Sequence, residues 1–222
     1  MEGLTQKQIE QEARQLYQAE KDKRVLRPFT ERYPKIAPEE SYRIQLALIE
    51  MKKADGAKVV GKKIGLTSKA MQKMLNVDQP DYGHILDNMV LQDAAVFPLG
   101  ELIQPKIEPE IAFILDHELK GPGVTPTAVL AATRFVVPAL EIIDSRIEAW
   151  KIKLCDTIAD NASSARVVLG NSPKRIDEFD LKLVGMVLEK NGDIVQTGAG
   201  GAVLVIRRLR LRGWPMRSVN SA

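Results

Sequence analysis

The chain of 222 residues has a single cysteine, Cys155. An internal disulfide framework is thereby excluded, and a reducing compartment, the cytoplasm, is expected. No apolar run approaches the roughly eighteen residues of a membrane span. The opening Met1-Glu-Gly-Leu-Thr-Gln-Lys-Gln lacks the apolar core of a signal peptide, so neither membrane insertion nor export is expected. Charge of one sign is scarce as well: 32 basic against 29 acidic residues leave a net charge of +3, too little to argue for a nucleic-acid partner. There is no Walker A sequence and no G-x-G-x-x-G opening a βαβ unit, which removes support for nucleotide or dinucleotide chemistry. His84, His117 and Cys155 lack partners at metal-ligand or triad spacing and are read as structural.

The length and a hydrophobic share of 45% suit one sizeable globular domain, with or without a small helical appendage. Ile9, Ala13, Leu16 and Tyr17 recur at helical spacing, predicting a helix from its N-cap Thr5 to about Arg24. A second helix is predicted from about Pro38 to Ala54, with Tyr42, Leu46 and Ile49 on one stripe and Gly56 just past its end. Both helices are read as a lid or an oligomer contact. From Lys58 the pattern changes to short strands: Lys58 to Gly65, Ile107 to Leu115, Phe135 to Ile143, Leu181 to Lys190 and Asp193 to Thr197. Asn191-Gly192 joins the last two as a hairpin turn, and short helices are expected at Ser68 to Leu75 and Thr125 to Arg134. This order predicts an α+β fold whose mixed sheets wrap a site. It divides into an N-terminal helical region 1–57, a β-rich catalytic domain 58–204 and an arginine-rich tail 205–222.

Three carboxylates stand where apolar residues are expected. Glu108 and Glu110 lie two apart in Ile107-Glu-Pro-Glu-Ile-Ala-Phe-Ile, and Glu141 interrupts the apolar run Phe135-Val-Val-Pro-Ala-Leu-Glu-Ile-Ile. Residues two apart in a strand share a face, so Glu108 and Glu110 crowd two negative charges together. Such a pair needs a cation, and an all-oxygen donor set suits Mg²⁺ or Mn²⁺. The plain alternative is a wet edge strand with Glu141 paired to a lysine or arginine.

Lys63 sits between Gly61 and Gly65, which let the backbone approach a ligand closely; beside a carboxylate cluster it could hold a substrate anion or move a proton, or it is a solvated edge lysine. Asp81, on the turn Gln79-Pro-Asp-Tyr-Gly, either caps that turn or is an acid or base aimed into the pocket. Asp156-Thr-Ile-Ala-Asp-Asn-Ala-Ser-Ser reads as a loop dense in polar donors, able to grip a carboxylate ligand or satisfy its own backbone.

Five ordered motifs together resemble the 2-hydroxypenta-2,4-dienoate hydratases of the fumarylacetoacetate hydrolase superfamily. They are Gly61-Lys-Lys-Ile-Gly-Leu-Thr-Ser-Lys, Gln79-Pro-Asp-Tyr-Gly, Ile107-Glu-Pro-Glu-Ile-Ala-Phe, Pro138-Ala-Leu-Glu-Ile-Ile-Asp-Ser-Arg and Asp156-Thr-Ile-Ala-Asp-Asn-Ala-Ser. The resemblance covers residues 5–204, and Trp150-Lys-Ile-Lys and Met71-Gln-Lys-Met-Leu favour the pentadienoate hydratases over the related 4-oxalocrotonate decarboxylases and 2-oxohept-4-enedioate hydratases. It implies the mixed β-sheet roll of that superfamily, Mg²⁺ or Mn²⁺ on Glu108, Glu110 and Glu141, acid–base roles for Lys63 and Asp81, and substrate contacts at Leu66, Asp160, Asn161 and Ser163. The implied reaction is hydration of 2-hydroxypenta-2,4-dienoate to 4-hydroxy-2-oxopentanoate in meta-cleavage breakdown of aromatic compounds. A homo-oligomer is implied, with an aldolase or decarboxylase of the same pathway as possible partner; decarboxylation of a vinylogous 2-oxo diacid and an inactive assembly subunit are the alternatives.

The resemblance stops at the tail. Val205-Ile-Arg-Arg-Leu-Arg-Leu-Arg-Gly-Trp-Pro-Met-Arg carries five arginines and no acid, and is either a basic tail for acidic surfaces or a misread frame. A one-base slip converts Val-Ile-Arg-Arg into Gly-His-Pro-Ala, the continuation the family leads one to expect. Residues 205–222 are therefore read as frameshifted, with terminal strands lost and poor solubility or weak activity as the consequence. Resequencing tests the slip: an intact frame encoding the arginines in independent isolates excludes it.

Overall fold

The computed structural model describes residues 3–74 and 76–203; the tail from residue 205 lies outside them. The elements run α1 (Gln6–Asp22), α2 (Phe29–Arg32), α3 (Pro38–Ala54), β1 (Val59–Gly65), α4 (Lys69–Met74), β2 (Asp81–Leu86), β3 (Val90–Gln92), β4 (Lys106–Leu115), α5 (Pro126–Ala132), β5 (Thr133–Ile143), α6 (Leu154–Ala159), β6 (Ser164–Leu169), β7 (Gly185–Lys190) and β8 (Asp193–Ala199). Helices stand beside two antiparallel sheets and one mixed sheet, in agreement with the α+β expectation.

The chain forms two compact units, one of Met1–Ala112 with Pro138–Ser172, the other of Phe113–Val137 with the chain from Pro173 onward. The N-terminal helices fall in the same unit as β1 and β2. Thr5 caps α1 reciprocally with Gln8, and Pro38 opens α3 where its missing N–H costs nothing. Their apolar stripes meet: Ile9, Ala13, Leu16 and Ala19 of α1 and Ile44 and Leu48 of α3 form one buried cluster with Leu26, Phe29, Ile147 and Ala159. These helices are core rather than a lid. A spacing of 3.6 residues announces one buried face but not what covers it.

In the same unit β1 and β2 pair antiparallel, setting Lys63 opposite Gly83 and Gly65 opposite Asp81. Asp81 thus opens a strand, where a turn connector was expected. The second sheet has the order β3-β6-β5-β4, with β3 parallel and β5 antiparallel to β6. β4 is its edge, which tolerates Pro109 between the two glutamates. The segment 156–164, expected as a loop, is instead the end of α6, a left-handed turn and the start of β6.

In the second unit β7 and β8 form the expected hairpin, and Asn191 and Gly192 take φ of 55° and 89°. Those positive values are what a two-residue turn between twisted strands demands. Among the described residues no helix is long and apolar enough to cross a membrane.

Leu16→Ala should lower stability by about 2–5 kcal/mol, whereas Leu46→Ala, at a position 47% exposed, should change it by no more than about 0.5 kcal/mol. Urea unfolding of both variants measures the difference.

Candidate metal centre and active site

Carboxylate oxygens of Glu108, Glu110 and Glu141 all lie within 4.8 Å of one another. The alternation of β4 puts the first two on one face, and its neighbour β5 supplies the third. The three carboxylates would hold one hard divalent cation through oxygen ligands. Glu141 is buried, and its Oε1 has no hydrogen-bond partner, as a ligand atom awaiting a cation should be. Burial raises the pKa of Glu108, with Lys63 opposing and Glu141 and Asp81 adding to the rise. Glu110 is exposed as a residue, yet its carboxyl end is desolvated; that cause leads, followed by repulsion from Glu108 and Glu141, in lifting its pKa to about 7. The residues present fit a divalent cation.

Lys63 reaches the same cluster. Its Nζ lies 3.1 Å from Glu141 Oε2 and donates to the Ala162 carbonyl at 3.0 Å. Burial disfavours its charge, but Glu141, Glu108 and Asp81 outweigh burial and hold the pKa above the ordinary lysine value. Asp81 is buried, Thr157 Oγ1 donates to its Oδ2 at 3.4 Å, and its Oδ1 has no partner. Burial moves its pKa upward, against the pull of Lys63. Gly65, across the strand pair, makes room for it: a Cβ there would collide with Asp81 Oδ1.

The four expected substrate contacts divide. Leu66 adopts φ 55° and its carbonyl accepts from Gln72 Nε2 at 2.9 Å, leaving its backbone N–H as the group it can offer. Ser163 Oγ is buried without a partner. Asp160 and Asn161 have their side chains engaged within the protein. Both Asp160 oxygens are occupied, Oδ1 by Arg146 Nε at 2.5 Å and Oδ2 by the Arg146 amide at 2.9 Å and Ser145 Oγ at 3.2 Å. Asn161 accepts from the His84 amide at 2.7 Å and donates to the His84 carbonyl at 2.9 Å. A dense polar stretch does not reveal which of its members face inward to the scaffold. Thr157, Gly83 and the Ala162 carbonyl were missed; the glycine two residues into a strand opening at Asp81 is the signal that could have found one of them.

Two outcomes are expected. Asp160→Ala leaves the Arg146 guanidinium buried and unpaired and should cost about 3–5 kcal/mol in urea unfolding. Glu110, with a pKa raised from 4.5 to about 7, stabilises the metal-free protein below its unfolded value and loses that contribution as pH rises through about 7. The melting temperature of metal-free wild type, relative to Glu110→Gln, should therefore fall between about pH 5 and about pH 8, and Mg²⁺ should restore it more at the higher pH.

No family model matches the chain. Among curated proteins it is 50% identical over 191 residues to a 2-hydroxypent-2,4-dienoate hydratase of Pseudomonas putida, covering 86% of each chain. It is 46% identical to a 2-hydroxyhexa-2,4-dienoate hydratase of Comamonas testosteroni, covering 88% of this chain and 75% of the relative. A 4-oxalocrotonate decarboxylase of a Pseudomonas strain is 42% identical over 90% of this chain and 76% of the relative. Among solved structures, the 4-oxalocrotonate decarboxylase of Pseudomonas putida G7 complexed with magnesium and adipate superposes with a TM-score of 0.87 at 36% identity, covering 94% of this chain and 82% of that one. A fold of the fumarylacetoacetate hydrolase type, a centre able to hold a divalent metal and these identities agree: the chain belongs to the 2-hydroxypentadienoate hydratase family of enzymes.

Proposed function

We propose that this chain adds water to 2-hydroxypenta-2,4-dienoate, giving 4-hydroxy-2-oxopentanoate in the catabolism of aromatic compounds, with Mg²⁺ or Mn²⁺ on Glu108, Glu110 and Glu141. The observation that carries it is the meeting of three carboxylates, one buried and with an unpartnered oxygen, with the Lys63 ammonium and a desolvated Asp81. When bound, the cation supplies Lewis acidity to the carboxylate and C2 oxygen of the substrate. Lys63, held charged by its acidic neighbours, is suited to stabilise negative charge rather than to accept a proton. Asp81, pushed upward and with Oδ1 free, is suited to carry protons. Loss of the C2 hydroxyl proton with protonation at C5 yields the 2-oxo-3-enoate; water then adds its hydroxyl at C4 and its proton at C3, which balances to the hydroxy-oxo acid. The Leu66 amide and Ser163 Oγ are the proposed substrate contacts.

A diacid substrate, as for the decarboxylase, needs a further cation for its second carboxylate. Lys106, which acts on Glu108, lies over the Trp150 ring at 4.1 Å. Residence in the cytoplasm and assembly as a homo-oligomer, alone or with an aldolase or decarboxylase acting on the same compounds, complete the proposal.

An absorbance assay on enzymatically generated 2-hydroxypentadienoate, with 4-oxalocrotonate in parallel, tests it. Asp81→Asn should lose about 10²–10⁴-fold in kcat, and Glu110→Gln should lose metal-dependent turnover together with calorimetric Mg²⁺ binding. Faster turnover of the diacid favours the decarboxylase, and metal binding without turnover of either an assembly subunit.

A further inference from the structure

Three consecutive residues other than glycine, Asn161, Ala162 and Ser163, hold positive φ of 54°, 51° and 53°. Each such residue costs of order 1–2 kcal/mol, and left-handed residues normally occur singly. At both ends and along its Asn161 side chain the run is held by bonds other than the one it makes to Lys63. At its N-terminal end Arg146 Nη2 donates to the Asp160 carbonyl at 2.7 Å, and at its C-terminal end the Asp144 amide donates to the Ser163 carbonyl at 2.7 Å. Between them the Asn161 carboxamide spans the His84 peptide, bonding both its N–H and its C=O in the manner of a strand neighbour. His84 Nδ1 is in turn 3.0 Å from Gln45 Oε1, and Gln45 Nε2 donates to the Tyr82 and Ile158 carbonyls at 3.0 and 2.7 Å. Gly83 lets the run come close: a Cβ there would stand 2.5 Å from the Asn161 carbonyl oxygen and 3.2 Å from Lys63 Cγ.

The run presents the Ala162 carbonyl to Lys63 Nζ. An ammonium has three N–H donors; Ala162 takes one and Glu141 a second, so the direction of the third is set by where the carbonyl stands. We propose that Asn161 is a positioning residue, whose carboxamide strap on the His84 peptide holds the Ala162 carbonyl against Lys63 and thereby aims the remaining Lys63 N–H at the substrate. The inference rests on the hydratase reading for what Lys63 does, and not for how Lys63 is held.

Wild type, Asn161→Ala, Lys63→Met and the double variant test it, with Gly83→Ala displacing the same run from the opposite side. Kinetics on 2-hydroxypentadienoate are read together with Mg²⁺ calorimetry and NMR of ¹³Cε-labelled lysine. Asn161→Ala should lower kcat about 10–100-fold, the usual effect of removing a group that orients another, with KM and Mg²⁺ affinity within about threefold of wild type. In the Lys63→Met background the same change should cost less than about twofold, the coupling expected of residues acting as a unit. The paired Lys63 Hε resonances, distinct in wild type because the side chain is held, should collapse toward one shift in Asn161→Ala. An equal loss in both backgrounds, or an unchanged Lys63 resonance in a folded variant, overturns the inference. Should Asn161→Ala fail to fold, Gly83→Ala carries the same comparison. If wild type turns over no dienoate the hydratase reading fails, while the NMR comparison still decides whether Asn161 holds Lys63.

Discussion

The structure depends on mutual repulsion among three carboxylates brought within 4.8 Å. Burial first, and repulsion from Glu108 and Glu141 after it, lift the pKa of Glu110 to about 7. Lys63 relieves part of the repulsion through Glu141, while Glu141 Oε1 is left for a second positive charge. Residual negative charge in a partly desolvated place is what gives a small divalent cation its advantage over water. The same field keeps Lys63 protonated, so metal affinity and the state of the neighbouring ammonium share one cause.

Rigidity behind that cluster comes from groups that carry no chemistry of their own. Each candidate reacting side chain on the β1–β2 pair faces a glycine, Lys63 opposite Gly83 and Asp81 opposite Gly65. The missing side chains become space for a carboxylate and for a passing backbone. Beneath them a buried guanidinium, Arg146, gathers the Asp160 carboxylate and the Asp144, Asp160 and Ser164 carbonyls. Unpaired, such a group would be among the costliest things to bury; fully bonded, it pins the ends of three segments to one point.

Much of this was legible in the residues, and the remainder was not for physical reasons. Periodicity located α1 and α3 closely, and Asn191-Gly192 marked the β7–β8 turn, because those signals are local. The carboxylate cluster was legible because charge in an apolar strand needs an external reason, and Glu141 stands beside Glu108, Glu110 and Lys63. Strand β2 escaped notice because Gln79-Pro-Asp-Tyr-Gly looks like a turn from outside, and only its pairing with β1 makes Asp81 a strand residue. The side chains of Asp160 and Asn161 bond to Arg146 and His84, 14 and 77 positions away, a separation that no local pattern announces.

Pro109 stands between Glu108 and Glu110 on the edge strand of its sheet. Lacking an N–H, it interrupts the row of donors that a foreign strand would need to zip onto that margin. Two neighbouring acids add a charge that an incoming backbone would have to desolvate. Among the described residues, the tripeptide that carries two of the candidate ligands thus also disfavours strand addition along that margin, so replacing the proline to regularise the strand would trade colloidal safety for tidier pairing.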